Sequence, residues 1–402
     1  MKTISLLKNP IQKYKWGSLT AIPELVGTQP SDTPCAELWM GAHPKASSRV
    51  FVEKEWILLY DLIKKNPEEI LGKFIAEKFN NRFPYLFKVL AAASPLSIQA
   101  HPSKEQAAAG FKRENKLKIP FNAGNRNYKD ANHKPECICA ITPFRALNGF
   151  RPVSEILLLT EKINSSNLNL LLNILRDQPD NKGLKQFFYS LMTMDENQKK
   201  HMIEDIVQYA GSVSDSNPVF QDVFQWIIKL FQAYPFDIGV LFPFFLNLIC
   251  LKPGQAMFLP AGELHSYLDG LGLELMANSD NVLRGGLTPK HIDISELLKT
   301  LNFTSRNIEI LQPVPVSDYE SVYSSAAQEF ILSVISVNQN MKNVILINSG
   351  VQILFCISGK VRVLEKNFSM DIQKGESVLV PANVKKYYIQ GKGILYKASV
   401  PE

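Results

Sequence analysis

The 402-residue chain contains only five cysteines, and they are scattered: Cys35, Cys137, Cys139, Cys250 and Cys356. An odd number without the spacing of a disulfide framework or a zinc knuckle excludes a stapled secreted scaffold. Reduced thiols in a cytoplasmic protein are the expectation. Long hydrophobic runs are also missing. The longest, Ile238 to Leu251, is interrupted by Gly239, Pro243 and Asn247 and falls short of a membrane span. The stretch Met1 to Lys8 has neither a sustained apolar core nor a small-residue cleavage site, so a signal peptide is not expected. Blocks of one charge are absent too. The formal net charge of +6 comes from basic residues interspersed with acidic ones, which argues against a nucleic-acid partner.

What is present is an ordinary globular composition, 46% hydrophobic and 20% charged, long enough for two or three domains. Residues 1–150 read as short strands and turns. One helix is expected near Asn66-Pro67, with proline early and acids in the first turn, and another beginning at Ser103, a good N-cap. Between about 153 and 234 the period changes to helical: Ile156, Leu159 and Ile163 recur on one face, as do Val219, Val223, Trp226/Ile227 and Leu230. Polar breaks at 177–181 and 211–218 divide this stretch into several helices. Strand text returns at Leu251, with one helix at Ser295–Leu301. Val351–Ile357, Ser358-Gly359 and Lys360–Leu364 read as a hairpin with a two-residue turn.

A repeat organises the second half. Lys252–Ala261 matches Gln373–Ala382 at a shift of 121, each copy reading as a glycine turn, a short strand and a Pro-Ala turn. Such units are common in jelly-roll barrels. The expected fold is mainly β, with two cupin-like (jelly-roll) β-barrels and an inserted helical module. Residues 1–152 and 236–312 would form one barrel, 153–235 the insertion, and 313–402 a second barrel. Under the shift His265 meets Lys386, and an ammonium cannot replace an imidazole as a metal ligand, so the second barrel is expected to lack a metal site.

The candidate chemistry begins at Gln99 and His101. In an extended segment both point to one face, and an amide oxygen beside an imidazole suits a divalent metal with an open position. Two ligands do not hold a metal. His133-Lys134-Pro135-Glu136 and the turn leading to His265 and Tyr267 are able to supply more, although any one of these side chains alone is as well explained by surface or core. Lys134 shares a strand face with Glu136. Cys137 and Cys139 lie on the opposite face from Ile138 and read as small core residues. Glu274 is a carboxylate in an apolar strand. Arg284 lies four residues after Asp280, where the two can form a salt bridge or both serve a ligand. Ser97, Lys104 and Lys290 are phosphate partners by type, and Trp16, Trp39 and Tyr267 can wall a sugar pocket or fill a core.

Five segments in order, Ala36–Pro44, Ser97–Lys104, His133–Glu136, Pro260–Tyr267 and Asn278–Lys290, together resemble the type I mannose-6-phosphate isomerase family from about Tyr14 to Lys290. Ser103, Cys137 and Cys139 depart from the residues expected there. The resemblance implies one Zn2+ per chain held by Gln99, His101, Glu136 and His265. It also implies Lys134 as a proton-transfer residue, Arg284 in the active site, and interconversion of mannose 6-phosphate and fructose 6-phosphate in the service of GDP-mannose synthesis. The implied partner is a small sugar phosphate, with no membrane or nucleic acid, and a monomer is expected. A cupin dioxygenase would want two or three histidines around iron with free positions for oxygen, and the amide of Gln99 argues against it; a non-enzymatic sugar-binding cupin could spare Lys134 and Arg284.

Overall fold

The structure is a computed structural model that describes residues 3–212, 218–341, 343–366 and 368–401. It is mostly β, with a block of helices between Val153 and Ala233. Two sheets organise it. In the ten-stranded sheet, the central strands Tyr85–Ala92 and His265–Ala277 pair antiparallel over eight residues. Tyr85–Ala92 is buried along its whole length, the pattern of a strand covered on both faces. His265–Ala277 bends at Gly270 and so meets two sets of neighbours. Its second half lies between Tyr85–Ala92 and Glu136–Ala140, and its first half pairs with Phe144–Phe150.

Five helices, Val153–Thr160, Ser166–Asp177, Asn181–Met192, Glu196–Ser212 and Pro218–Ala233, bury their apolar stripes in one core. That core includes Ile98, Leu147 and Leu283 from the sheet, so the helices form a layer on the strands that carry the site. Asp180 caps the third helix, accepting from the N–H groups of Lys182 and Gly183. The break read at 211–218 falls largely on 213–217, outside the described residues, as does the Val219 side chain. The apolar run from Ile238 divides into a 3-10 turn, a four-residue helix and the strand Leu246–Leu251. No helix among the described residues is long and apolar enough to cross a membrane.

Ser103 caps Lys104–Lys116 in a full capping box with Gln106. Pro67–Leu71 is helical as its proline suggests, but Ala21–Leu25, Leu59–Lys65 and Lys73–Lys78 are also helices. With five to seven residues each, they are too short to show a period.

The 121-residue repeat is visible atom by atom. Gly254 and Gly375 take φ of +83° and +86°, the left-handed region that glycine enters without strain. Gln255 N–H donates to Lys252 in one copy and Glu376 N–H to Gln373 in the other, at 2.9 and 3.0 Å. Ala256–Leu259 and Ser377–Val380 follow, then the long strands that begin at His265 and Lys386.

One expectation needs correction. Ser358-Gly359 is not a hairpin turn: Gln352–Glu365 is one continuous strand, paired along its length with Lys386–Ser399. The register shifts between Cys356 and Ser358, and Gly359 (φ +80°) lets the strand bend so that its halves join different neighbours. Strand pairing also crosses residue 313. Ser5–Lys8 pairs with Ser377–Val380, so the N-terminal strand joins the C-terminal, eleven-stranded sheet.

Candidate metal and substrate site

Three side chains converge in the first sheet. His101 leaves the end of Ile98–Ala100, Glu136 opens Glu136–Ala140, and His265 opens His265–Ala277. All three are at most 1% exposed, and their ligand atoms lie within 4.8 Å of one another. His101 Nε2 is 3.2 Å from Glu136 Oε1, and His265 Nε2 is 3.4 Å from Glu136 Oε2. Each Nδ1 faces a main-chain carbonyl, Asn281 O at 2.7 Å and Glu263 O at 3.0 Å. A carbonyl can only accept, so Nδ1 carries the proton and Nε2 presents its lone pair inward. Both Nε2 atoms are buried without a hydrogen bond. Burial, and then the charge of Lys134, push the His101 imidazole down to about 4, which keeps it neutral. For Glu136 burial works upward, but Lys134 and His101 outweigh it and hold the carboxylate well below its ordinary range. Two lone pairs and an anion aimed at one dry point make a cation site, and an N/O set without thiolate fits zinc.

Gln99 lies next to this set through register. Arg284, Gln99, His265 and Asn148 are successive cross-strand partners, so their side chains share one face. Lys134 Nζ is 2.7 Å from Glu136 Oε1. Tyr267 is fully buried, and its hydroxyl donates to Glu136 Oε2 at 3.3 Å. Cys137 and Cys139 lie in a different core cluster from Ile138, on the opposite face.

Beside the cluster lies a second charged group that the sequence reading includes only in part. Trp39, Lys88 and Glu274 form one cross-strand row. Lys88 Nζ is 2.6 Å from Glu274 and 3.6 Å from Glu37, and Glu37 accepts from Trp39 Nε1 at 2.7 Å. Burial works against the Lys88 ammonium, but Glu274 and Glu37 outweigh it and raise it above the ordinary lysine range. Burial raises the Glu274 carboxyl, and Lys88 only partly offsets that. The available signal for Lys88 and Glu37 was a charge inside strands that are otherwise apolar.

The rim is cationic. Arg284 forms no salt bridge among the described residues, and burial lowers its guanidinium. The charge of Arg284, followed by partial burial, lowers Lys290, which places the two cations near each other. The alternative of an Arg284–Asp280 pair is not realised, because Asp280 binds Lys45 at 2.9 Å and faces His43 at 3.6 Å. Ser97 is half-buried just before the Gln99 strand, and Lys104 is exposed at the start of the following helix. Trp16 is half-buried and stacked on the exposed Tyr14, whereas Trp39 is buried against His43.

Two polar anchors fix the loops. The Asn281 amide accepts from the N–H groups of Lys129 and Asp130 and donates to the carbonyls of Asp130 and Asn132. Its own carbonyl orients His101. Asp237, at the end of the helical block, accepts from the N–H groups of Leu287 and Thr288 and so secures the segment between Arg284 and Lys290.

A buried imidazole–carboxylate–imidazole cluster beside a lysine–carboxylate pair, on a β scaffold, defines a metal-dependent enzyme of acid–base chemistry. Residues 4–153 match the phosphomannose isomerase type I catalytic domain, 159–246 its helical insertion domain, and 321–399 the mannose-6-phosphate isomerase cupin domain. Mannose-6-phosphate isomerase from Escherichia coli (strain K12) is 40% identical over 97% of both chains, and that of Homo sapiens is 36% identical over 78% of this chain and 77% of the other. The zinc-bound crystal structure of a mannose 6-phosphate isomerase superposes with a TM-score of 0.91 at 38% identity, covering 100% of both chains. The chain belongs to the type I mannose-6-phosphate isomerase family.

Proposed function

We propose that this chain is a zinc-dependent aldose–ketose isomerase that interconverts D-mannose 6-phosphate and D-fructose 6-phosphate. The observation that carries the reading is the pair of orphaned imidazole nitrogens turned toward Glu136, with Lys134 and the Lys88–Glu274 pair beside them. Gln99, His101, Glu136 and His265 would hold one zinc per chain, and when bound it supplies Lewis-acid stabilisation of negative charge on the sugar oxygens.

The reaction opens a hemiacetal ring and moves a proton between C2 and C1. The base must lie inside the dry site and be able to take up a proton. Lys134 Nζ is one candidate. The other is Glu274, whose carboxyl is already biased toward its protonated form by burial. Arg284 and Lys290, two cations close enough to repel one another, suit the phosphate, with Ser97 and Lys104, which flank the Gln99–His101 motif, as further partners by type. Asp280, Trp16, Trp39 and Tyr267 complete the wall, Tyr267 by steadying Glu136.

We infer further that each lobe is a cupin-like barrel, with the first built from 1–152 and 236–312 apart from the strands Ser5–Lys8, Arg49–Val52 and Glu55–Leu58, which join the C-terminal sheet, the second from 313–402, and 153–235 inserted. The second barrel carries Lys386 where the first has His265. By its pairing with Ser377–Val380 it carries Gln352 where the first has Glu136, and Gln352 bonds Tyr387 at 2.7 Å. An ammonium and an amide there leave no zinc set. Five unpaired thiols suit a cytoplasmic monomer that feeds GDP-mannose synthesis.

The test is direct: zinc-loaded protein given mannose 6-phosphate should form fructose 6-phosphate, and chelation should stop it. Lys134→Ala should lower kcat far more than it raises KM, because a base acts in the transition state. No fructose 6-phosphate from the zinc-loaded protein would refute the activity.

A further inference from the structure

Glu329 stands apart from every strand that builds the site. It lies in the C-terminal lobe, in the connection between Glu320–Tyr323 and Ile331–Val337, and is only 4% exposed. Its Oε1 is 2.6 Å from Nε2 of His133, the residue immediately before Lys134. His133 and Lys134 therefore reach in different directions, one to the C-terminal lobe and the other to Glu136.

Residues 130–135 form no helix or strand, so their position depends on what grips them. On one side Ser279 and Asn281 donate to the Asn132 carbonyl at 3.1 and 2.8 Å, and Ala277 N–H donates to the Pro135 carbonyl at 3.1 Å. On the other side, Glu329 is the hydrogen-bonding partner of the His133 ring among the described residues. Burying a carboxylate is unfavourable unless it is paired. Here burial would raise Glu329, but its bond to His133 and the N–H of Gln328 outweigh that and keep it ionised. The anion is thus committed to one imidazole, and that imidazole to one place.

We propose that Glu329 is a positioning residue for the isomerisation: acting through His133, it fixes the irregular segment that carries Lys134, and so gives the C-terminal lobe a direct part in active-site geometry. The inference rests on the reading of Lys134 as a participant in proton transfer. A displacement of the reacting amine by about 1 Å is enough to slow such a step on the order of a hundredfold. It leaves the phosphate and metal contacts on other segments in place.

The test is steady-state kinetics on the full zinc-loaded chain with mannose 6-phosphate, comparing Glu329→Gln, His133→Ala, the double variant and Lys134→Ala. Glu329→Gln keeps the side chain's size while removing the charge. It should lower kcat about tenfold or more, with KM within about twofold and zinc near one per chain. In the His133→Ala background the same change should have little further effect, because the two act as one unit. Unaltered kcat in Glu329→Gln, or a full additional loss in the double variant, would overturn the positioning role while leaving Lys134 in the mechanism. Unaltered kcat in Lys134→Ala would overturn the lysine's role and this inference with it.

Discussion

Replacing Lys88 by methionine isolates the electrostatics of the site from its metal. The ammonium is buried between Glu274 at 2.6 Å and Glu37 at 3.6 Å, and methionine fills a similar volume without charge. Glu37 keeps its bond from Trp39, so Glu274 is the carboxylate left uncompensated. Removing one member of a buried pair costs about 3–5 kcal/mol when the other stays charged. Glu274 has an escape: burial already raises its carboxyl, and without Lys88 it rises further. A carboxyl whose folded value lies above its unfolded value favours the fold while protonated, and that contribution is lost as pH rises through the folded value. The variant should therefore lose about 3–5 kcal/mol relative to the parent at pH 8. At pH 5 the loss should shrink to about 1–2 kcal/mol, since each unit of late titration is worth about 1.4 kcal/mol. Urea unfolding of both proteins at the two pH values, with chelator throughout so that metal affinity does not enter, measures the difference. A loss that is equal at pH 5 and pH 8 would refute the assignment of Glu274 as the stranded charge.

The metal reading expects about one zinc per chain after dialysis, and His265→Ala should bring it near zero; a stoichiometry of two would sink the claim that the second lobe lacks a site. Asn281→Ala keeps the carbonyl that holds His101 but removes the five side-chain bonds that fix it, so zinc affinity should fall about 10–100-fold in a competition titration, and unchanged affinity would show that the loop needs no such anchor. Turnover in D2O should place deuterium at the carbon that receives the proton, less if the pocket shields the base. Complete retention of the substrate hydrogen together with undiminished kcat in both Lys134→Ala and Glu274→Ala would remove both bases from the mechanism.

The grouping of His101, Glu136 and His265 was legible because each sits at the end of a strand beside a turn, where local sequence fixes direction. Gln99 and His101 precede Pro102, Glu136 follows Pro135, and His265 follows a Pro-Ala-Gly turn. Lys88 and Glu37 were not legible, although both are charges in apolar strands. Their meaning depends on register with Glu274, 186 residues away from Lys88, and no local signal carries register between distant strands. The Ser358-Gly359 misreading has the same cause. The dipeptide is good turn chemistry, but pairing with Lys386–Ser399 on both sides of it outweighs that preference and turns it into a bend. Likewise, nothing in Ser5–Lys8 itself names Ser377–Val380 as its partner.

The two repeat copies separate what builds a fold from what builds a site. Gly254 and Gly375 share a dihedral, Gln255 and Glu376 make the same turn bond, and Gly270 and Gly391, again 121 residues apart, both have positive φ. All of this is backbone geometry, and it persists across two copies that differ at most side chains. The chemistry does not persist. Where one copy has Glu136 and His265 the other has Gln352 and Lys386, and neither change disturbs a strand. A metal site can therefore be absent from a lobe that keeps the whole scaffold, and such a lobe is free to act in another way. The contact from Glu329 to His133 is such a way, since it reaches the segment of Lys134 from the C-terminal lobe.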